Sequence, residues 1–97
     1  MIVEWSELAA GQLQAVRDYL ARSSPAYAQA LAERVVRRTE VLADLPLVGA
    51  EVPEYNEASL REVFERPYRI LYRVASERVQ VVAVIHAARL LPRTPPG

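Results

Sequence analysis

The residues best suited to bind an anion are four arginines that lie in or near the predicted β-strands. They are Arg61, Arg69, Arg73 and Arg89. Guanidinium groups on neighbouring strands can converge on one phosphate or carboxylate through charge-assisted, bidentate hydrogen bonds. The same spacing also fits a solvated sheet face on which the arginines pair with Glu62, Glu65 or Glu77. From spacing alone, both an anion site and a surface ion-pair network remain open.

The single histidine, His86, follows the last predicted strand and has the side chain that titrates nearest to neutral pH. It is a candidate general base or proton donor, although a lone histidine at a strand end is commonly structural. The chain has no cysteine, no glycine-rich phosphate loop and no histidine or glutamate pair with metal-ligand spacing. We therefore expect no metal, no cofactor and no small-molecule substrate.

Composition limits the class of protein. The chain has 97 residues, 52% of them apolar, and its 12 basic and 12 acidic side chains give zero net charge. This predicts one domain spanning residues 1–97, and neutrality argues against broad electrostatic capture of nucleic acid. Every basic residue is arginine, which favours planar, bidentate contacts. No apolar run reaches the roughly 20 residues that a bilayer span needs, so we expect no membrane association and a cytoplasmic protein.

Two amphipathic helices should follow a short N-terminal strand at residues 2–5. Ser6 and Ser24 are good N-caps, and Pro25 is tolerated at the first helical position. Apolar residues then recur with a period of 3.6 in two stripes: Ala9, Leu13, Val16 and Leu20, then Ala28, Leu31, Val35 and Leu42. The tight connection between them predicts an antiparallel helical hairpin.

The last third of the chain predicts three antiparallel strands, at residues 60–65, 68–74 and 79–85. In the middle strand Tyr68, Ile70, Tyr72 and Val74 alternate with Arg69, Leu71 and Arg73. The tyrosine side should lie beneath the helices, leaving the arginine side open to a ligand. For residues 60–65 the pattern does not decide which side chains face the helices. Residues 50–58 should form an irregular connection, and the Pro-rich tail, residues 90–97, should be extended or frayed.

The second helix also carries apolar residues off its main stripe, at Tyr27, Val36 and Val41. We expect all three to stay partly exposed in the isolated chain, where they could bind an amphipathic helix or an added strand of a partner.

The order of these elements and their motifs resemble the RelE/ParE superfamily of bacterial type II toxin–antitoxin modules. The resemblance rests on a Leu-x-x-x-Pro-x-x-Gly-like stretch at residues 42–49, on Leu60-Arg61-Glu62-Val63, on Tyr-Arg-Ile-Leu-Tyr-Arg-Val at residues 68–74 and on Val-Ile-His-Ala-Ala-Arg at residues 84–89. It implies an α+β fold of order β-α-α-β-β-β, with a small antiparallel sheet packed under a two-helix hairpin. It also implies a cognate antitoxin, and Tyr27, Val36 and Val41 are the candidate antitoxin-binding residues.

The resemblance favours the ParE-like branch, whose members inhibit growth through DNA gyrase without catalysis. On this interpretation the target-binding residues are Arg69, Arg73, His86, Arg89 and Arg93. The alternative is a RelE-like endonuclease that cleaves mRNA on the ribosome, with Arg61, Arg69, Arg73 and Arg89 holding phosphate and His86 moving a proton. The lysines and the C-terminal tyrosine usual in RelE-like members are absent. A third possibility is an inactive member that only binds antitoxin.

For the nuclease alternative, replacing Arg69 by alanine should remove about 1.5 to 3 kcal/mol of contact to phosphate without unfolding the sheet.

Overall fold

The computed structural model describes residues 1–97. Two α-helices and a short 3₁₀ turn separate an N-terminal strand from four further strands. The elements are β1 (Ile2–Trp5), α1 (Glu7–Ala21), α2 (Pro25–Glu40), the 3₁₀ turn (Val41–Ala43), β2 (Ala50–Glu51), β3 (Leu60–Glu65), β4 (Tyr68–Val74) and β5 (Arg78–His86). Neither helix has the length and apolar character that crossing a membrane would require.

Both helices begin where the capping residues predict. The Ser6 hydroxyl accepts a hydrogen bond from the Ala9 N–H at 3.0 Å, and the Ser24 hydroxyl accepts one from the Tyr27 N–H at 3.2 Å. Each cap satisfies an N–H that has no partner within its helix. Pro25 occupies the first turn of α2, as expected. The two helices pack against each other as the predicted hairpin.

The strands form one sheet in the order β1-β5-β4-β3-β2. The predicted antiparallel pairing of β3, β4 and β5 is confirmed, whereas β1 joins the sheet parallel to β5. The α+β class with two helices on a small sheet is therefore correct. Two details differ. The sheet was expected to be antiparallel, but β1 makes it mixed. The connection expected to be irregular contains β2, which pairs with β3 and makes the sheet five-stranded.

The helices cover the tyrosine side of β4, as the alternation predicts. Tyr68 and Ile70 pack with Leu31 and Val35 of α2 and with Ala9 of α1, while Tyr72 packs with Leu42 and Val79. Leu13, Val16 and Leu20 complete the α1 side of this core as partly buried residues. Burial of these side chains is the main force that holds the hairpin on the sheet.

The opposite side of the sheet is not open, and that expectation is wrong. Val52 and Tyr55, from the loop between β2 and β3, form a second core with Leu71 and with residues of β3 and β5. The tail lies over the same side: Leu91 packs against this core, and the Tyr55 hydroxyl donates a 2.6 Å hydrogen bond to the Pro92 carbonyl. These contacts anchor the tail to the sheet, so it is not frayed.

Pairing with β4 resolves the faces of β3. Glu62 stands opposite Leu71, which places Leu60, Glu62 and Phe64 on the tail side and leaves Val63 on the helix side. On β5 a bulge opposite Leu71 and Tyr72 shifts the register. Because a bulge adds one residue to its strand, Val82 and Ala83 both join the core on the tail side.

Candidate functional site

Arg69 lies on the tail side of β4 between two carboxylates. Its Nε donates to Glu62 Oε1 at 2.6 Å, and its two terminal nitrogens donate to the two oxygens of Glu54 at 2.7 and 2.8 Å. Arg69 is 7% exposed and Glu62 is 4% exposed, whereas the Glu54 side chain keeps 43% of its surface. The guanidinium group is thus ion-paired with one buried and one half-exposed carboxylate.

The charges in this cluster stabilise each other. The hydrogen bonds from Arg69 hold the pKa of Glu54 below its usual value of 4.5, although desolvation acts in the opposite direction. The hydrogen bonds that Arg69 donates to Glu54, and secondarily to Glu62, raise the pKa of Arg69. Three N–H groups of this guanidinium already bind carboxylates, and the residue is 7% exposed, so it is not open to a phosphate. The expectation that Arg69 stands on an open face is therefore wrong, because the loop supplies Glu54 and the neighbouring strand supplies Glu62.

The other arginines do not converge with Arg69. Arg61 lies on the helix side, where its Nη1 donates to the Gly49 carbonyl at 2.8 Å and its buried Nε has no partner. Arg73 lies on the tail side, ion-paired to Glu57 and close to the Pro96 carbonyl. Arg89 is exposed beyond the end of β5. The single anion site suggested by these four arginines is not formed, since the strand register separates them between two faces.

His86 and Arg89 line a cleft on the helix side of the sheet. The cleft has a volume of about 450 Å³ and lies between α1 and the end of β5. Its other lining residues are Gln12, Ala15, Val16, Tyr19, Tyr68, Val84 and Ile85. His86 stands opposite Tyr68 in the strand pairing, and their rings meet edge to face with centroids 5.5 Å apart. Arg93, the remaining candidate target-binding residue, is exposed in the tail.

A second concavity, of about 590 Å³, lies between α1 and α2 and is also lined by Trp5 of β1. Its apolar floor comes from Trp5, Leu13 and Val36, and its rim includes Arg17 and Arg37. We call this concavity the hairpin groove.

The exposure predicted for the three extra apolar residues of the hairpin is confirmed. Tyr27 is 45% exposed, Val36 is 39% exposed and Val41 is 47% exposed. Only Val36 lines the hairpin groove.

Sequence reasoning missed three residues that shape these sites. Glu54 lies in a loop without periodicity, so no local pattern indicated its pairing with Arg69. Tyr68 was assigned to the core, and its position on the wall of a cleft depends on the pairing with His86. Gln12 accepts a 2.8 Å hydrogen bond from the Val84 N–H, beyond the point where β1 stops covering β5. The only indication in the sequence is that Gln12 is a polar residue within α1.

Comparisons with known proteins identify the family. The profile of the ParE toxin of type II toxin–antitoxin system, parDE, matches residues 3–91. Toxin RelE2 of Caulobacter vibrioides is 40% identical over 89 residues, which cover 91% of this chain and 97% of that protein. A chain of the chromosomal ParDE system from P. aeruginosa superposes with a TM-score of 0.74 at 25% identity, covering 89% of this chain and 95% of the other. This chain belongs to the ParE toxin family of type II toxin–antitoxin systems.

Proposed function

We propose that this toxin inhibits growth by binding DNA gyrase as a protein, without catalysis, in the cytoplasm. The surface proposed for the target is the exposed end of the sheet that carries His86, Arg89 and Arg93. The family assignment and the similarity to a chain of a ParDE system support this proposal. Arg73 lies toward the other end of the sheet, since it pairs with Gln80 whereas Tyr68 pairs with His86, and Arg69 serves the fold.

The burial of Arg69 is the observation that carries the non-catalytic proposal. Cleavage of RNA by a neighbouring 2′-hydroxyl needs cations around the phosphorane together with a proton acceptor and a donor. Here Arg69 is buried and ion-paired to two carboxylates, Arg61 points to the helix side and Arg73 is paired with Glu57. His86 and Arg89 lie together, but the other three members of the proposed catalytic set do not reach them.

A RelE-like mRNA endonuclease is the second candidate, because the relative at 40% identity is named Toxin RelE2. Two measurements distinguish these functions: supercoiling by purified gyrase and cleavage of ribosome-bound mRNA.

We expect the purified chain to block supercoiling and to leave ribosome-bound mRNA intact. Replacing Arg89 and Arg93 together by glutamine should raise the inhibitory concentration about tenfold or more, because arginine is a frequent source of binding energy at interfaces. Arg78→Gln, at the opposite end of β5, is the matched control and should inhibit like the wild type. Cleavage of mRNA without loss of supercoiling would establish the endonuclease, and neither effect would indicate an inactive member that only binds antitoxin.

We further propose that the cognate antitoxin neutralises the toxin by laying an amphipathic, acidic helix in the hairpin groove. Half of the residues that line the groove are hydrophobic, and Arg17 and Arg37 outnumber the one acidic lining residue, Glu33. An apolar helix face with acidic flanks matches both features.

Val36→Glu should weaken binding of the antitoxin at least about tenfold, because it places a carboxylate on the apolar floor opposite an acidic helix. The variant should still inhibit gyrase, so cells that express it would no longer be rescued by the antitoxin. Isothermal titration with purified antitoxin measures the first effect. Leu47→Glu is the control, since Leu47 is 61% exposed and lies outside the groove. Equal affinities for the Val36 and Leu47 variants would contradict this docking site.

A further inference from the structure

The cleft at the end of β5 presents hydrogen-bond donors and no carboxylate. Its apolar walls are Ala15, Val16, Val84 and Ile85. Its polar groups come from α1, β4 and the end of β5, and none of them is acidic: Gln12, Tyr19, Tyr68, His86 and Arg89. A pocket with several donors, one formal cation and no carboxylate is suited to a single negative charge carried on an apolar body.

Tyr68 is the most informative of these residues. It is 7% exposed, yet its hydroxyl forms no hydrogen bond with any other group of the chain, although the hydroxyl of Tyr72 on the same strand does. Burial raises the pKa of Tyr68, and the nearby phenols of Tyr27 and Tyr19 raise it further. Arg61 Nε is the only buried side-chain polar atom without a partner, so the Tyr68 hydroxyl is reached by solvent where the residue lines the cleft. It is therefore available to donate to a ligand.

The local hydrogen bonds also determine which atoms of Gln12 and His86 remain free to donate to a ligand. The Val84 N–H donates to Gln12 Oε1, so the NH₂ group of that amide remains free to donate. The Ala88 N–H donates to His86 Nδ1 at 3.0 Å, so the neutral ring carries its proton on Nε2. Arg89 forms no side-chain hydrogen bond or ion pair and adds the positive charge.

We propose that this cleft binds an acidic side chain of a protein partner, with the apolar neighbours of that side chain on the cleft walls. Arg89 and the Tyr68 hydroxyl hold the carboxylate, and Gln12 and His86 supply further donors. The proposal deepens the function proposed above, because His86 and Arg89 belong to the surface assigned to the target. It concerns the chemical group that is recognised and does not depend on which protein carries it.

A peptide carboxylate fits better than RNA. Polynucleotide binding draws its affinity from several phosphates neutralised together, whereas this cleft holds one arginine in a chain of zero net charge. The apolar walls and the two tyrosines suit aliphatic or aromatic side chains beside the acid.

The test uses the full ¹⁵N-labelled chain and an N-acetylated, C-amidated leucine–glutamate–leucine tripeptide, followed by amide chemical shifts. We expect saturable shifts at Gln12, Tyr19, Tyr68 and His86, with millimolar affinity as expected for so small a probe. The leucine–glutamine–leucine peptide should bind at least about fivefold more weakly, because it lacks the charge but keeps the shape. Uridine monophosphate is the competing probe.

Variants of the chain complete the experiment. Arg89→Gln should weaken binding of the glutamate peptide about tenfold and Tyr68→Phe about fivefold, while Arg78→Gln should have no effect. Dispersed amide spectra establish that each variant is folded. Equal binding of the two peptides, tighter binding of uridine monophosphate, or shifts confined to the hairpin groove would overturn the proposal, as would the absence of saturation. Because the probe is a small peptide, this result is independent of the supercoiling assay, and either can fail alone.

Discussion

Arg69→Met should lower the free energy of unfolding by about 3 to 5 kcal/mol, the largest effect we expect from any single substitution. The change removes the only partner of a carboxylate, Glu62, that is 4% exposed, and thus leaves a buried charge without compensation. Glu54 contributes little to this value, because its half-exposed carboxylate can be hydrated once Arg69 is gone. Urea denaturation followed by circular dichroism measures the loss.

Two further variants test the physical reason. Arg69→Met combined with Glu62→Leu should recover most of the stability, because an apolar pair of similar volume replaces the buried charges. Arg78→Gln breaks an exposed pair with Glu4 and should change the stability by less than about 1 kcal/mol. A single Arg69 variant as stable as the wild type would show that the ion cluster does not support the fold. The expected loss of stability replaces the sequence-based expectation that Arg69→Ala leaves the sheet unaffected, because Arg69 is the partner of the buried Glu62. Any loss of toxicity in Arg69 variants therefore has to be separated from loss of folding.

Gly49→Ala should be the second most damaging substitution, lowering stability by about 2 to 3 kcal/mol. A β-carbon at this position would lie 2.4 Å from the Glu62 carbonyl oxygen and 2.6 Å from the Tyr72 hydroxyl. The backbone of β3 cannot yield easily, and moving Tyr72 would break its 3.0 Å hydrogen bond from the Gly49 N–H. Thermal unfolding measures the effect.

Gly11→Ala is the matched control for this prediction. No atom lies within 4 Å of the β-carbon that it would add, and Gly11 is in the middle of α1. Here alanine should raise stability by about 1 kcal/mol, because its helix propensity is higher. If both glycine variants changed stability in the same direction, the close approach at Gly49 would not be the reason for its glycine.

The parts of the fold that could be predicted are those with local causes. Ser6 and Ser24 begin helices because each side chain caps a nearby N–H. The alternation in β4 correctly assigned Tyr68 and Tyr72 to the helix side, because the side-chain period of a strand is fixed at two. In both cases the residues that determine the structure lie only a few positions apart in the sequence.

The parts that could not be predicted depend on contacts between distant segments. Hydrophobic alternation failed for β3 because Glu62, a charged residue, is buried against Arg69. Predicting the second core would require knowing that the loop and the tail are in contact through Tyr55 and Pro92. The cleft depends on the register Tyr68↔His86, which the bulge in β5 shifts by one residue. Hydrophobicity patterns report none of these.

The parallel pairing of β1 with β5 has a consequence for biosynthesis. Ile2 aligns with Arg78 and Trp5 with Val81, so the first strand to be translated pairs only with the last. The helical hairpin can form early from local contacts, but the sheet cannot close until residue 81 has left the ribosome. In a nascent chain β1 therefore stays without its strand partner until β5 has emerged.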